Sequence, residues 1–112
     1  MEIALLTYRV TRAFPPEERF GLTAQMRRAA ISIGSNIAEG CGRSTERQLL
    51  NFVQMAAGSA SELDFQAQIS LRLSFGTAPE LEQLRDLVRI ERRMLGRLST
   101  RIRAGEGSWN QR

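Results

Sequence analysis

The chain has 112 residues, 42% hydrophobic and 25% charged, the composition of one globular domain with a single core rather than of a disordered segment. It holds no histidine and no lysine, so all sixteen basic residues are arginine, and its one cysteine is Cys41. These facts exclude histidine triads, His-ligated or Cys-rich metal sites, Schiff-base and phosphate-loop lysines and an internal disulfide, and they fit the reducing cytoplasm.

No strand-like alternation is visible, and the chain reads as helix throughout. A first helix is predicted over residues 2–13, with Ile3, Leu6, Val10 and Ala13 at 3–4 spacing. Pro15 and Pro16 stop it, and Pro16 opens a short turn through Glu17 and Glu18. This helix is short, which leaves two ways to complete it: a neighbouring subunit, or sequence upstream of Met1. A second helix begins near Thr23 as N-cap and carries Leu22, Met26, Ala29, Ile33 and Ile37 on one stripe. It is expected to end at Gly40, read as a left-handed residue just past the helix, with Gly42 close behind.

Ser44 or Thr45 is expected to cap a third helix over 45–74, and Thr45 with Gln48 three residues on fits a capping box. Its main stripe is Leu49, Phe52, Ala56, Leu63 and Ala67, and small residues cluster over 56–61. Leu50, Phe65 and Ile69 fall outside that stripe, and one bundle face cannot bury both sets. They are therefore the candidate contacts to another subunit. Gly76, Thr77 and Pro79 form a turn, and a fourth helix follows over 80–103. Leu81, Leu84, Val88, Leu95, Leu98 and Ile102 keep a heptad-like rhythm broken by Glu91. Four helices with short connections make an all-α, antiparallel up-and-down four-helix bundle over residues 1–104, with a flexible tail over 105–112. No apolar run approaches the roughly 20 residues of a membrane span, and the N-terminus lacks a leader signature.

Charge is uneven. Residues 85–112 hold eight arginines against Asp86, Glu91 and Glu106, a balance of +5, while the whole chain carries +4 and the remainder therefore −1. Arg85, Arg89, Arg93, Arg97 and Arg101 recur every fourth residue as a ridge roughly opposite the core stripe. Such a ridge suits a polyanion, since arginine binds phosphate by paired hydrogen bonds. The last helix has no interleaved aromatic residues, so the expected contact is to the backbone of structured RNA rather than to specific bases. The competing reading is a solvated helix face, or arginines that bridge subunits.

The passage SIGSNIAEGCGR, residues 32–43, places glycine, serine and asparagine where helix is otherwise expected. Together with FPPEERFGLTAQMRRAA before it and AAGSASELDFQ after it, this passage resembles the 23S rRNA intervening-sequence proteins over residues 8–98. The pieces that carry the likeness are Leu-Thr-x-Gln-x-Arg-Arg-Ala, Ser35-Asn36-Ile37-Ala38-Glu39-Gly40 and Gly-Ser-x-x-Glu-Leu. The resemblance implies a four-helix bundle assembled as a ring, a homopentamer. It also implies kinship with the accessory variability protein of diversity-generating retroelements, which associates with a reverse transcriptase and RNA. Gly34 replaces a common proline of the family, Cys41 a frequent aromatic residue and Ala57 a frequent arginine, and the usual opening segment is shortened.

Ser35, Asn36, Glu39 and Gly40 are thus expected to build a structural corner between the second and third helices, while Gly58 and Ser59, in the middle of the third helix, belong to the small-residue patch that allows close helix approach. Arg43 beside the N-terminus of the third helix is a candidate anion contact. Cys41 has no histidine to activate it and fills a corner. A carboxylate hydrolase would need Glu39, Glu62 or Asp64 to converge in a pocket, and Glu39 and Glu62 are each expected to pair with an arginine instead. The sequence therefore points to a non-enzymatic cytoplasmic bundle without cofactor or metal, binding nucleic acid or a nucleoprotein. A purely structural or protein-interaction module is the alternative.

Overall fold

The computed structural model describes residues 1–110, and the side chains of residues 1–105. Four helices follow one another: α1 (Glu2–Thr11), α2 (Leu22–Cys41), α3 (Glu46–Arg72) and α4 (Ala78–Asn110), with a 3-10 turn at Pro16–Glu18. There is no strand among the described residues. The tail expected over 105–112 ends at residues 111 and 112, which lie outside the described residues, and the backbone is helical to Asn110.

Packing follows chain order. α3 lies along both α2 and α4, and α1 packs across α2 and α4. Neighbours run antiparallel, because partner numbers fall in one helix as they rise in the next. Met26 meets Ser70 and Ser32 meets Ser59 across α2 and α3. Asp64 meets Arg85 across α3 and α4.

The bundle is 56 Å long. At 1.5 Å per residue, the ten residues of α1 span only about 15 Å. The core divides accordingly. A larger cluster takes Leu6, Val10 and Phe14 from α1 and the segment after it, Met26 and Ile33 from α2, Leu63 and Ala67 from α3, and Leu81, Leu84 and Val88 from α4. A smaller cluster of Val53, Ala56, Leu95 and Ile102 has no α1 residue, and Ile37, Leu49, Leu50 and Leu98 there are only partly buried. The expected α4 stripe is therefore in the core, with Glu91 half-buried where the rhythm breaks.

Helix ends are where the sequence reading needs correction. Gly21 occupies the N-cap of α2, not Thr23, and the Leu22 N–H donates to the Glu18 carboxylate at 3.0 Å. Thr23 is buried one position inside the helix. At the other end α2 continues through Gly40 to Cys41, and Gly42 is the C-cap in a right-handed conformation. Gly40 is glycine for a different reason from the one expected. A Cβ there would lie 2.9 Å from Phe52 Cβ and 3.1 Å from Leu49 Cδ1, so the missing side chain lets α3 approach.

Thr45 does cap α3, its hydroxyl accepting from the Gln48 N–H at 3.2 Å. The far end of α3 closes with the Phe75 N–H donating to the Ser70 carbonyl (2.9 Å) and the Ser74 N–H to the Leu71 carbonyl (3.1 Å). That is the Schellman pattern, with Ser74 at φ 59° in the left-handed position usually given to glycine. Gly76, at φ +66°, supports the following turn, where a Cβ would meet the Phe14 ring at 3.0 Å. The Thr77 hydroxyl then donates to Glu80 at 2.9 Å at the start of α4.

Candidate nucleic-acid interface

The arginine ridge on α4 is not one continuous face. A four-residue step advances about 40° around a helix, so Arg85 and Arg101 sit about 160° apart. Arg85 faces α3, where its Nε donates to Asp64 Oδ1 at 3.1 Å. Its side chain is 23% exposed and that of Asp64 16%. Arg92 comes within 4.0 Å of the other Asp64 oxygen. Arg89 pairs with Asp86 at 3.1 Å on the same helix. Arg85 and Arg89 thus already have carboxylate partners.

Arg93, Arg97 and Arg101 differ. All three are exposed, and among the described residues none has an ion-pair or hydrogen-bond partner. With Gly96, Thr100 and Ala104 they line a shallow groove of about 580 Å³. The small side chains between the arginines leave the guanidinium groups accessible. Arg97 and Arg101 also border a second depression of about 400 Å³ with Ile37, Met94 and Leu98, where the bundle has three helices instead of four.

Most of the expected corner lies within helix. The Asn36 amide donates to the Ser32 carbonyl at 2.8 Å and to the Ser32 hydroxyl at 3.0 Å. The Ser32 and Ser59 hydroxyls meet at 2.8 Å, joining α2 to α3. Asn36 thus serves the α2–α3 contact. Ser35 is exposed, and a Cβ at Gly58 would meet nothing within 4 Å. Glu39 pairs with Arg43 at 2.6 Å, and the Arg43 guanidinium lies 5.0 Å from the centre of the Phe52 ring. Arg43 is therefore held by a carboxylate and a ring rather than free for an anion. Cys41 is exposed and unbonded.

The carboxylates each have a different partner. Glu39 takes Arg43, Glu62 accepts from the Gln66 amide at 3.2 Å, and Asp64 takes Arg85 and the Gln68 amide. Among the described residues no group of three Cys, Asp or Glu side chains is placed to hold a metal. Of the interface candidates, Phe65 is 62% exposed and Ile69 half-buried, but Leu50 packs against the smaller core cluster.

One cluster escaped the sequence reading. Arg27 Nε donates to the Thr11 hydroxyl at 2.9 Å while its guanidinium covers the Tyr8 ring at 4.6 Å. Arg19 lies over Phe20 at 5.4 Å. Arginines 27 and 28 and the two aromatic residues were visible in the sequence, but their meeting depends on how the 3-10 turn brings the chain back over α1.

No helix among the described residues is long and apolar enough to cross a membrane. No functionally curated protein matches the chain significantly. Among solved structures, a Bacteroides thetaiotaomicron protein with unknown function from the S23 ribosomal protein family superposes with a TM-score of 0.78, covering 88% of this chain and 92% of its own at 20% identity. That likeness establishes the fold. The model of the 23S rRNA-intervening sequence protein family matches residues 1–97, from α1 through most of α4. The chain belongs to the 23S rRNA-intervening sequence protein family.

Proposed function

We propose that the chain is the subunit of a non-enzymatic, cytoplasmic oligomer that binds the phosphate backbone of structured RNA, alone or within a nucleoprotein. The observation that carries this reading is the set of three exposed arginines, Arg93, Arg97 and Arg101, without a carboxylate partner among the described residues. Guanidinium groups spaced by one helical turn suit successive phosphates better than a single small anion. The absence of lysine and histidine from the sequence supports a binding rather than a catalytic role.

Oligomerisation, as a homopentamer, is the second part of the proposal. Phe65 and Met55 on α3 stand exposed at 62% and 54%, an apolar surface that a second copy would cover. A ring would repeat the arginine groove once per subunit and raise avidity. The alternative, a protein-interaction module, draws support from Arg85 and Arg89, which are neutralised within the chain.

The test compares wild type with Arg93→Gln/Arg97→Gln/Arg101→Gln in binding to a folded RNA, with light scattering on both. All three side chains are exposed, so the variant should keep its fold and mass. Weakened RNA binding supports the reading. Equal binding, or a stable monomer at micromolar concentration, contradicts the corresponding part.

A further inference from the structure

We propose that the groove between α1 and the start of α2 is a second nucleic-acid site, one that takes an unpaired segment by stacking a base on Phe20. It rests on nucleic-acid binding by this chain and adds a separate place, a strand state and a recognition chemistry. The groove measures about 610 Å³ and is lined chiefly by Tyr8, Arg19, Phe20, Arg27, Arg28 and Ile31.

Three features select the ligand. The first is charge: three guanidinium groups line the groove and no carboxylate does. Glu18, next to Arg19 in the chain, is engaged by the Leu22 N–H at 3.0 Å, and Glu17 is exposed on the turn outside the lining. Arg28 is exposed and has no partner among the described residues. The groove is therefore complementary to an anion.

The second feature is the ring surface. Phe20 is 86% exposed. Arg19 lies over the ring at 5.4 Å, and the exposure leaves ring surface for a nucleobase. The third is preorganisation. Arg27 is fixed by Thr11 at 2.9 Å and by the Tyr8 ring at 4.6 Å, so its guanidinium presents a settled flat surface for a second base. Alternating rings and guanidinium groups along a basic groove are the recognition chemistry of single strands. An acidic peptide would use the charge but not the exposed ring. A duplex keeps its base faces stacked inside and offers Phe20 nothing to stack on.

The groove and the α4 ridge lie on different parts of the bundle. The groove is formed by α1, the segment after the 3-10 turn and the first half of α2, whereas the unpaired arginines of the ridge lie over residues 93–101 of α4. One RNA with a paired stem and an unpaired flank could occupy both.

The experiment measures polarisation of a labelled single-stranded RNA of about 12 nucleotides and of a duplex of the same length. Wild type is compared with Phe20→Ala, Arg28→Gln and Arg93→Gln/Arg97→Gln/Arg101→Gln, and poly-glutamate serves as competitor. Circular dichroism and light scattering accompany each protein. Loss of one stacked base should weaken single-strand binding by roughly 5- to 150-fold in Phe20→Ala, with duplex binding and the salt slope unchanged. Arg28→Gln should lower the single-strand salt slope by about 0.7. Unchanged single-strand affinity in Phe20→Ala overturns the proposal, as does an equal loss for the duplex. So does competition by poly-glutamate that Phe20→Ala abolishes, which would make the occupant an acidic peptide. A fall in oligomer mass in Phe20→Ala also overturns it, because the groove would then be a subunit contact. If the ridge variant loses duplex binding while Phe20→Ala changes nothing, this site fails and the ridge stands. If wild type binds neither RNA, both fail.

Discussion

Gly40 offers a test of helix packing in which the sign of the effect is set by geometry. It sits inside α2, and an added Cβ would come 2.9 Å from Phe52 Cβ and 3.1 Å from Leu49 Cδ1. Phe52 Cβ is fixed to its backbone and cannot swing aside, so α2 and α3 must separate. Replacing glycine by alanine in a helix gains about 1 kcal/mol of propensity. Overpacking costs about 1–3 kcal/mol. Gly40→Ala should therefore lie between neutral and about 2 kcal/mol destabilised, and Gly40→Val, with two more methyl groups and poorer helix propensity, at about 2–4 kcal/mol destabilised. Gly34 and Gly58 supply the control, since a Cβ at either meets nothing within 4 Å. Alanine at either should stabilise by about 0.5–1 kcal/mol, or roughly 2–4 °C in midpoint for a chain of this size. Thermal unfolding followed by circular dichroism measures all four variants at one fixed protein concentration, so that any assembly equilibrium is held constant. Gly40→Asn separates the mechanisms further. Asparagine tolerates a left-handed backbone but not the contact with Phe52. Gly40→Ala as stable as Gly34→Ala, or Gly40→Asn markedly more stable than Gly40→Ala, would refute the packing argument.

Three further substitutions probe other parts of the bundle. Ser74→Gly relieves a non-glycine residue at φ 59° and should stabilise by about 0.5–1 kcal/mol in urea unfolding. Gln66 is buried on α3, and its Oε1 has no hydrogen-bond partner in the structure. Gln66→Met removes that unmet acceptor while keeping the volume, and it also gives up the amide's hydrogen bond to Glu62, so urea unfolding should show stability within about 1 kcal/mol of wild type. Asp64→Asn should cost about 1–2 kcal/mol by the same assay, because Arg85 then loses its carboxylate at a site more enclosed than a surface pair.

The parts of the fold governed by periodicity were legible. The α4 stripe of Leu81, Leu84, Val88, Leu95 and Ile102 enters the core because a repeat near 3.6 admits one buried face. Thr45 and Gln48 marked the start of α3 because a capping hydrogen bond is local. Gly40 misled because one residue type answers two demands, a left-handed cap and a close helix contact, and only the position of Phe52 decides between them. Similarly, sequence spacing placed five arginines on a winding ridge but did not show that Asp64, on another helix, takes Arg85. The groove that gathers Tyr8, Arg19, Phe20 and Arg27 was illegible for the same reason: Arg27 on α2 meets Thr11 and Tyr8 on α1.

RNA binding through the arginine groove of α4 is the central claim, and the salt dependence of wild-type affinity tests it most directly. Polarisation titrations of a folded RNA at several salt concentrations give a log–log slope to which each neutralised phosphate contributes roughly 0.7–0.9. Three arginines per chain without a partner among the described residues, Arg93, Arg97 and Arg101, predict a slope of at least about 2, with affinity falling steeply as salt rises. A slope near zero, or no binding at low salt, would contradict the account and leave the bundle as a protein-interaction module.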